Sequence, residues 1–374
     1  MVKALKKLGL LLLKDLKKFG LFLLNNLKKF TKTQLFIPVF ALLLLIVFNL
    51  IRDINFFSII LTQNNDGNTV LQGNIINILS NASELAILAI GMTLVTASSR
   101  GQDISVGAVA AVAGSIFMSV LRSGDITLTT ILLGILAAIV VSLLCGAFNG
   151  TLVSIFKIQP MIATLILFTS ARSIAYWING GATPTVSSPL LSSMGNFIPG
   201  IPVPTPILIV IVFVIVVSLV LRFTNLGLYT QSVGINERSA RLNGINSTWI
   251  KILSFLIMGV CTALAGCIAV SRMQIINHET ILLDIEMDAI LAVAIGGNSL
   301  GGGKFSLTGS VIGAYVIYVL TVTLFAMKVP STAIKACKAV VIILIVVIGS
   351  PITKKYVMQL RDRLFRKSTK VTEN

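Results

Sequence analysis

The sequence predicts an all-α polytopic membrane protein with about ten transmembrane helices, several of them short or broken. Three observations carry that prediction. Of 374 residues, 55% are hydrophobic and only 11% are charged. The apolar residues fall into ten segments separated by polar or glycine-rich breaks. The basic residues gather in alternate loops and at both ends of the chain. A mean hydropathy of +0.96 excludes an ordinary soluble domain. The formal charge of +17 does not point to nucleic acid, because its distribution follows the membrane and forms no single basic face.

Residues 1–33 hold nine lysines and one acid. Leu5-Lys6-Lys7, Leu16-Lys17-Lys18 and Leu27-Lys28-Lys29 recur every eleven residues, close to three helical turns. The spacing predicts an amphipathic helix lying on anionic membrane lipid. A signal peptide is the rival reading. Its apolar core would be very short, Lys14-Asp15 interrupts it, and no small-residue cleavage site follows.

The transmembrane domain is expected over 34–352, with a basic tail over 353–374. The apolar segments are 35–51, 85–97, 104–121, 128–156, 161–178, 206–221, 250–270, 289–295, 307–326 and 334–352. Several fall short of the roughly 20 residues a straight span needs. Short or glycine-interrupted spans are tolerated inside protein or beside a polar cavity. With the N-terminus inside and sides alternating, 23 of the 30 Lys and Arg lie inside and 6 outside, while Arg172 stays within a span. This asymmetry predicts that both termini are cytoplasmic.

Two long polar loops, 52–84 and 179–205, then face outside. The second is rich in Gly, Pro and Ser and reads as irregular structure. A third outer stretch, 271–288, carries Glu279, Asp284, Glu286 and Asp288. Hydration is its simpler reading, and contact with another protein the alternative. Cys145, Cys261, Cys267 and Cys337 all sit in apolar runs without metal-ligand spacing, as small buried hydrophobes do. His278 is the one histidine, so neither a histidine-based catalytic centre nor a metal site is expected.

The polar island at 226–249 organises the rest. Within it, 236–244 reads as one short helix. Asn236 is the N-cap and Glu237 sits in the first turn, where the dipole favours an anion. Glu237 and Arg241 are four apart and can pair. Asn243-Gly244 is a stop signal. A capped helix between two spans does not help the chain cross a bilayer. Its expected use is docking on something outside the membrane. The rival is a surface loop resting at the interface.

The run from Gly296 to Phe305 resembles a phosphate loop but fails the test. The required Gly five positions before Gly303 is Asn298, and the Ser or Thr after Lys304 is Phe305. It reads instead as a break between two helices, with Asn298 and Ser299 at its centre. A second break holds Gln102, Asp103 and Ser105. Asp103 is expected to cap the following helix. Arg172 within an apolar span is a functional candidate because an intramembrane charge is costly. Its alternative is pairing with backbone carbonyls. Asn149, Gln159 and Thr164 are polar near span ends, beside Gly150 and Pro160. Together these residues are the candidates for a translocation path.

Several runs resemble the ribose-type permeases of bacterial ABC sugar importers. They include Gly91-Met92-Thr93-Leu94-Val95, Gln102-Asp103-Ile104-Ser105-Val106-Gly107, Phe148-Asn149-Gly150, Val233-Gly234-Ile235-Asn236, and Asp288-Ala289-Ile290 through Gly296-Gly297. Lys157-Ile158-Gln159-Pro160 is most similar to galactofuranose-type permeases. Ser98-Ser99-Arg100 stands where the family often has a glycine pair, with one residue extra.

The resemblance implies a fold related to that of the cobalamin importer, in a bacterial cytoplasmic membrane. It implies a second permease copy or paralogue, ATPase subunits that bind ATP and Mg²⁺, and an extracytoplasmic solute-binding protein. The chain itself needs no cofactor, and 236–244 would be the coupling helix, with Arg238 and Arg241 as its charged contacts on the ATPase. Its cargo would be a pentose or a furanose-form hexose. An ion-coupled secondary transporter is the alternative, but the acids all fall near span ends or in loops. A membrane-embedded enzyme would need paired acids, a nucleophile with its base, or a metal cluster, none of which the sequence offers.

Overall fold

The structure of the chain, a computed structural model, describes residue 33, residues 35–63 and residues 69–349. The rest of the predicted lysine-rich helix and the basic tail lie outside the described residues. The described chain is helical almost throughout. The helices are α1 (Phe36–Arg52), α2 (Asn74–Asn81), α3 (Ser83–Ser99), α4 (Val106–Leu121), α5 (Leu128–Ser154), α6 (Pro160–Ile178) and α7 (Pro189–Gly195). They continue with α8 (Thr205–Phe223), α9 (Leu226–Ile235), α10 (Glu237–Leu242), α11 (Ser247–Met273), α12 (Ile285–Ile295), α13 (Leu307–Ala326) and α14 (Ser331–Gly349). Each predicted apolar segment coincides with one of these helices over its described residues. Among the described residues, six spans are long and apolar enough to cross a membrane, and α1 and α4 are shorter apolar helices. The protein is an all-α polytopic membrane protein.

Two loops hold more structure than predicted. The stretch 52–84 contains a 3-10 turn (Ile54–Phe57), a hairpin of β1 (Ile60–Gln63) with β2 (Thr69–Gln72), and α2. The hairpin is antiparallel, with Ile60 opposite Gln72. The stretch read as irregular at 179–205 contains α7, opened by Pro189, and proline suits the first helical turn.

Helix α3 is apolar all round, and such a helix belongs inside a bundle. Every residue from Ser83 to Ser98 is buried, and α3 packs against α8, α9, α11, α12 and α13. Helix α11 packs antiparallel to it: Arg272 near the end of α11 pairs with Glu84 at the start of α3 at 3.0 Å. With 27 residues at 1.5 Å each, α11 spans about 40 Å. Its first residue adjoins α10, so α10 and the Glu84–Arg272 pair mark opposite ends of the bundle. Helix α8 differs, leaving Val212, Ile215 and Val216 exposed on an apolar face.

Small residues let the helices meet closely, as membrane packing requires. A Cβ on Gly146 of α5 would lie 2.5 Å from the Phe255 carbonyl of α11, and one on Gly259 would lie 2.5 Å from the Ser142 carbonyl of α5. Polar side chains bond across helices. Asn49 donates to Thr323 Oγ1 at 2.7 Å, joining α1 to α13. The Thr93 and Ser310 hydroxyls meet at 2.6 Å, joining α3 to α13.

The glycine-rich run is a true interruption between α12 and α13, in which Asn298 replaces the missing helical bonds. Its Oδ1 accepts from the Ser306 amide at 2.6 Å, and its Nδ2 donates to Ser310 Oγ at 2.7 Å. Gly309 faces the Gly296 carbonyl with no room for a side chain. Gly309→Val should therefore destabilise the protein by about 1–3 kcal/mol through overpacking. Thermal unfolding of the purified protein should show a lower midpoint. Gly124→Ala, at a site with open space around it, should leave that midpoint unchanged.

Candidate functional site

The helix predicted at 236–244 is α10, Glu237–Leu242. Asn236 has extended backbone, and its side chain accepts from the Ser239 amide at 3.1 Å. Gly244, at φ +79°, supplies the left-handed stop. The Ile245 amide then closes back on the Ala240 carbonyl at 3.1 Å. The local signals placed both ends. They did not reveal α9, which ends at Ile235 and shares Asn236 with α10 as its C-cap.

Glu237 is the centre of an ionic cluster. Its Oε1 takes Arg241 at 2.5 Å and Lys157 at 3.2 Å, and its Oε2 takes Lys251 at 2.5 Å. Ser247 donates to the same carboxylate at 3.1 Å and accepts from Arg241 Nε at 2.6 Å. Burial alone would raise the Glu237 pKa. Lys251 and Lys157 outweigh it and hold the group down to about 2 from its ordinary 4.5. The predicted i,i+4 pair is therefore one arm of a larger brace that ties α10 to the α5–α6 turn and to α11.

This brace divides the two arginines. Arg241 is bonded within the fold. Arg238 is exposed, with no hydrogen bond or ion pair among the described residues. Leu242, 84% exposed, shares the outer surface of α10 with it.

Folding lowers the Glu237 pKa, so its contribution is complete above pH 4.5 and is lost as pH falls toward 2. Amide exchange in α10 should therefore speed up over that interval beyond the intrinsic chemical trend. Glu237→Gln should already show the faster exchange at pH 7, read by mass spectrometry.

The inner side of α9 meets two other segments. Arg100, the C-cap of α3 at φ 59°, donates from Nε to the Gly234 carbonyl at 2.6 Å and from Nη2 to the Ile235 carbonyl. The Gly303 amide donates to the Ala97 carbonyl at 3.0 Å. The ends of α3 and α9 and the glycine-rich run thus form one junction behind α10.

Deeper in the bundle, four predicted path residues come together. Asp103 Oδ1 accepts from the Ser105 amide at 2.8 Å and the Ser105 hydroxyl at 2.6 Å. Asn149 donates to Ser105 Oγ at 3.0 Å. Thr164 Oγ1 accepts from the Ile104 amide at 3.0 Å. All four are at least nine-tenths buried, and Asn149 Oδ1 has no hydrogen-bond partner among the described residues. The expected capping role of Asp103 needs correcting. Helix α4 begins after Ser105 without a side-chain cap, and Asp103 folds the loop just before it as an Asx turn.

Among the described residues, none of the other candidates hydrogen-bonds to these four side chains. Gln102 donates to the Leu300 carbonyl at 3.1 Å, linking the two breaks. Gln159 is an exposed N-cap without a capping bond. Ser299 is exposed and accepts from the Gly301 amide at 3.2 Å.

Arg172 lies eight residues beyond Thr164, about 12 Å along α6. Its Nη1 donates to the carbonyls of His278 at 2.7 Å, Glu279 at 3.2 Å and Ile281 at 3.3 Å. This is the carbonyl-pairing alternative, and it turns the arginine toward protein. The acidic stretch beside it is not uniformly hydrated. Asp288 pairs with Lys338 at 2.7 Å, Asp284 pairs with Lys335, and Glu286 is buried. Arg172→Leu should leave the three carbonyls short of donors, costing about 1–3 kcal/mol. Limited proteolysis within 271–284 should accelerate accordingly.

Sequence reasoning missed Lys157, Ser247 and Lys251 as partners of Glu237. The signal was present: Glu237 is the one acid between Asp125 and Glu279. A lysine at the start of an apolar span needs an anion, and the chain offers no other nearby in sequence.

The bundle has broken spans and, at one end, a short helix braced by an ionic cluster. Residues 74–349 match the family described as branched-chain amino acid transport system / permease component, and the chain belongs to that family. It is a transport subunit and not an enzyme.

The galactofuranose transporter permease protein of Escherichia coli (strain K12) is 38% identical over 314 residues, 83% of this chain and 88% of that protein. The fructose import permease protein of Bifidobacterium longum (strain NCC 2705) is 37% identical over 318 residues, 84% of this chain and 86% of that protein. The ribose import permease protein of Escherichia coli (strain K12) is 34% identical over 313 residues, 83% of this chain and 92% of that protein. No solved structure matches.

Proposed function

We propose that this chain is the membrane permease subunit of an ATP-driven sugar importer. Its cargo is a pentose or hexose in furanose form. The relatives that support this reading are permeases for galactofuranose, fructose and ribose, sugars that all form five-membered rings. They are import permeases, which favours this reading over an ion-coupled transporter. In the proposed assembly two permeases, this chain with a copy or a paralogue, form the path across a bacterial cytoplasmic membrane. Separate subunits bind ATP and Mg²⁺ on the cytoplasmic side, where both termini lie. A solute-binding protein delivers the sugar on the other side.

One observation carries the role of α10. The helix is capped at both ends and braced from behind through Glu237, while Arg238 and Leu242 are exposed. A lever that takes force from a partner needs rigidity behind it and free contacts in front. Arg238 and Leu242 are then the ATPase contacts, and Arg241 supports the helix from within. The cluster of Asp103, Ser105, Asn149 and Thr164 lies deeper and belongs to the path or its gate.

Arg238→Glu combined with Leu242→Asp should leave the bundle folded, because neither side chain is packed within it. The ATPase should no longer co-purify with the permease, and sugar uptake into reconstituted vesicles should fall with it. Wild-type co-purification of that double variant would refute the docking role.

A further inference from the structure

The junction behind α10 assigns a function to Arg100. We propose that Arg100 is the positioning residue that carries displacement of α10 into the buried core, by clamping the end of α9 to the end of α3. The proposal rests on the reading of α10 as the ATPase-docking helix.

The geometry is direct. Helices α9 and α10 share Asn236 as C-cap and N-cap, so a push on α10 reaches α9 without an intervening loop. The last carbonyls of a helix lack helical partners and carry partial negative charge. Arg100 supplies donors to two of them, Gly234 and Ile235. The arginine itself caps α3 in a left-handed conformation, which is uncommon for a residue with a side chain.

The joint has no slack. A Cβ on Gly234 would run into the Ala97 carbonyl and lie 2.6 Å from the Gly303 amide nitrogen. The Gly303–Ala97 bond of 3.0 Å adds the glycine-rich run as a third member. Beyond the joint, α3 is buried on every face against its neighbouring helices. A shift of its end therefore reaches the bundle interior, including the Asp103 loop that follows it.

The Glu237 brace makes a different connection. It ties α10 to α11 and to the α5–α6 turn through charged side chains. Arg100 is the link to α3.

The test uses the complete transporter in lipid nanodiscs, with a reporter cysteine replacing Ser99 in an otherwise cysteine-free chain. Maleimide labelling is measured with and without ATP and vanadate, so no cargo need be known. The variants are Arg100→Ala, Arg100→Lys and Gly234→Ala, the last disturbing the joint without touching the arginine. The ATPase should remain bound in all three, because the joint lies behind the docking surface.

The ATP-dependent change in labelling rate should shrink roughly tenfold in Arg100→Ala and Gly234→Ala, within the usual range of coupling between sites, and less in Arg100→Lys. If Arg100→Ala cannot be purified, the other two variants decide. Unchanged ATP-dependent labelling in the variants overturns the proposal, as does its absence from the wild type. Loss of the ATPase from the Arg100 or Gly234 variants also overturns it, by making the joint part of the docking site. Failure of the docking role itself would show separately, as an ATPase that stays bound to the variant altered at Arg238 and Leu242.

Discussion

One carboxylate organises the end of the bundle where α10 lies. Glu237 is the one acid in a stretch of the chain that runs from α5 to α11, and it answers Lys157, Arg241 and Lys251 together. An isolated surface ion pair contributes little. Here the Lys251 side chain is only 9% exposed, and a charge removed from water that far needs its partner. The network orients α10 against the bundle and leaves its opposite surface free. A helix of six residues is marginal by itself, so its persistence comes from two caps and this brace.

The same economy of polar groups runs through the rest of the bundle. Where a helix is interrupted, a side chain takes over the backbone's hydrogen bonds. Asn298 does so between α12 and α13, Asp103 before α4, and Arg172 for the turn before α12. In an apolar chain these residues serve structure first, because an unsatisfied polar group inside a membrane bundle costs several kcal/mol. Asn149 Oδ1 is the exception within the buried cluster, and it marks where that cluster has an acceptor to spare.

The features legible in the sequence were those written locally. The ten apolar segments, the two ends of α10 and the break at Gly296-Gly297 each depend on residues a few positions apart. The features missed depend on residues far apart or on weak signals. Lys157 and Lys251 are separated from Glu237 by 80 and 14 positions. Helix α2, helix α7 and the hairpin strands are only four to eight residues long, too short for a clear periodic signal. Arg100 stood out only as an extra residue, and its partners lie more than 130 positions away. Gln159 and Ser299 are polar but exposed, and neither bonds to the buried cluster.

The close contacts between α5 and α11 also determine which parts of the molecule can move. Gly146 and Gly259 each face a carbonyl of the opposite helix, and Gly266 of α11 faces the Ala110 carbonyl of α4 in the same way. Sliding either helix by one residue would set a side chain against backbone. Packed surfaces of this kind stay in register or separate, and do not deform gradually. Helices α4, α5 and α11 therefore act as a chassis of fixed internal distances. Helix α8 instead leaves Val212, Ile215 and Val216 exposed on an aliphatic face, with no such fixed contact there among the described residues.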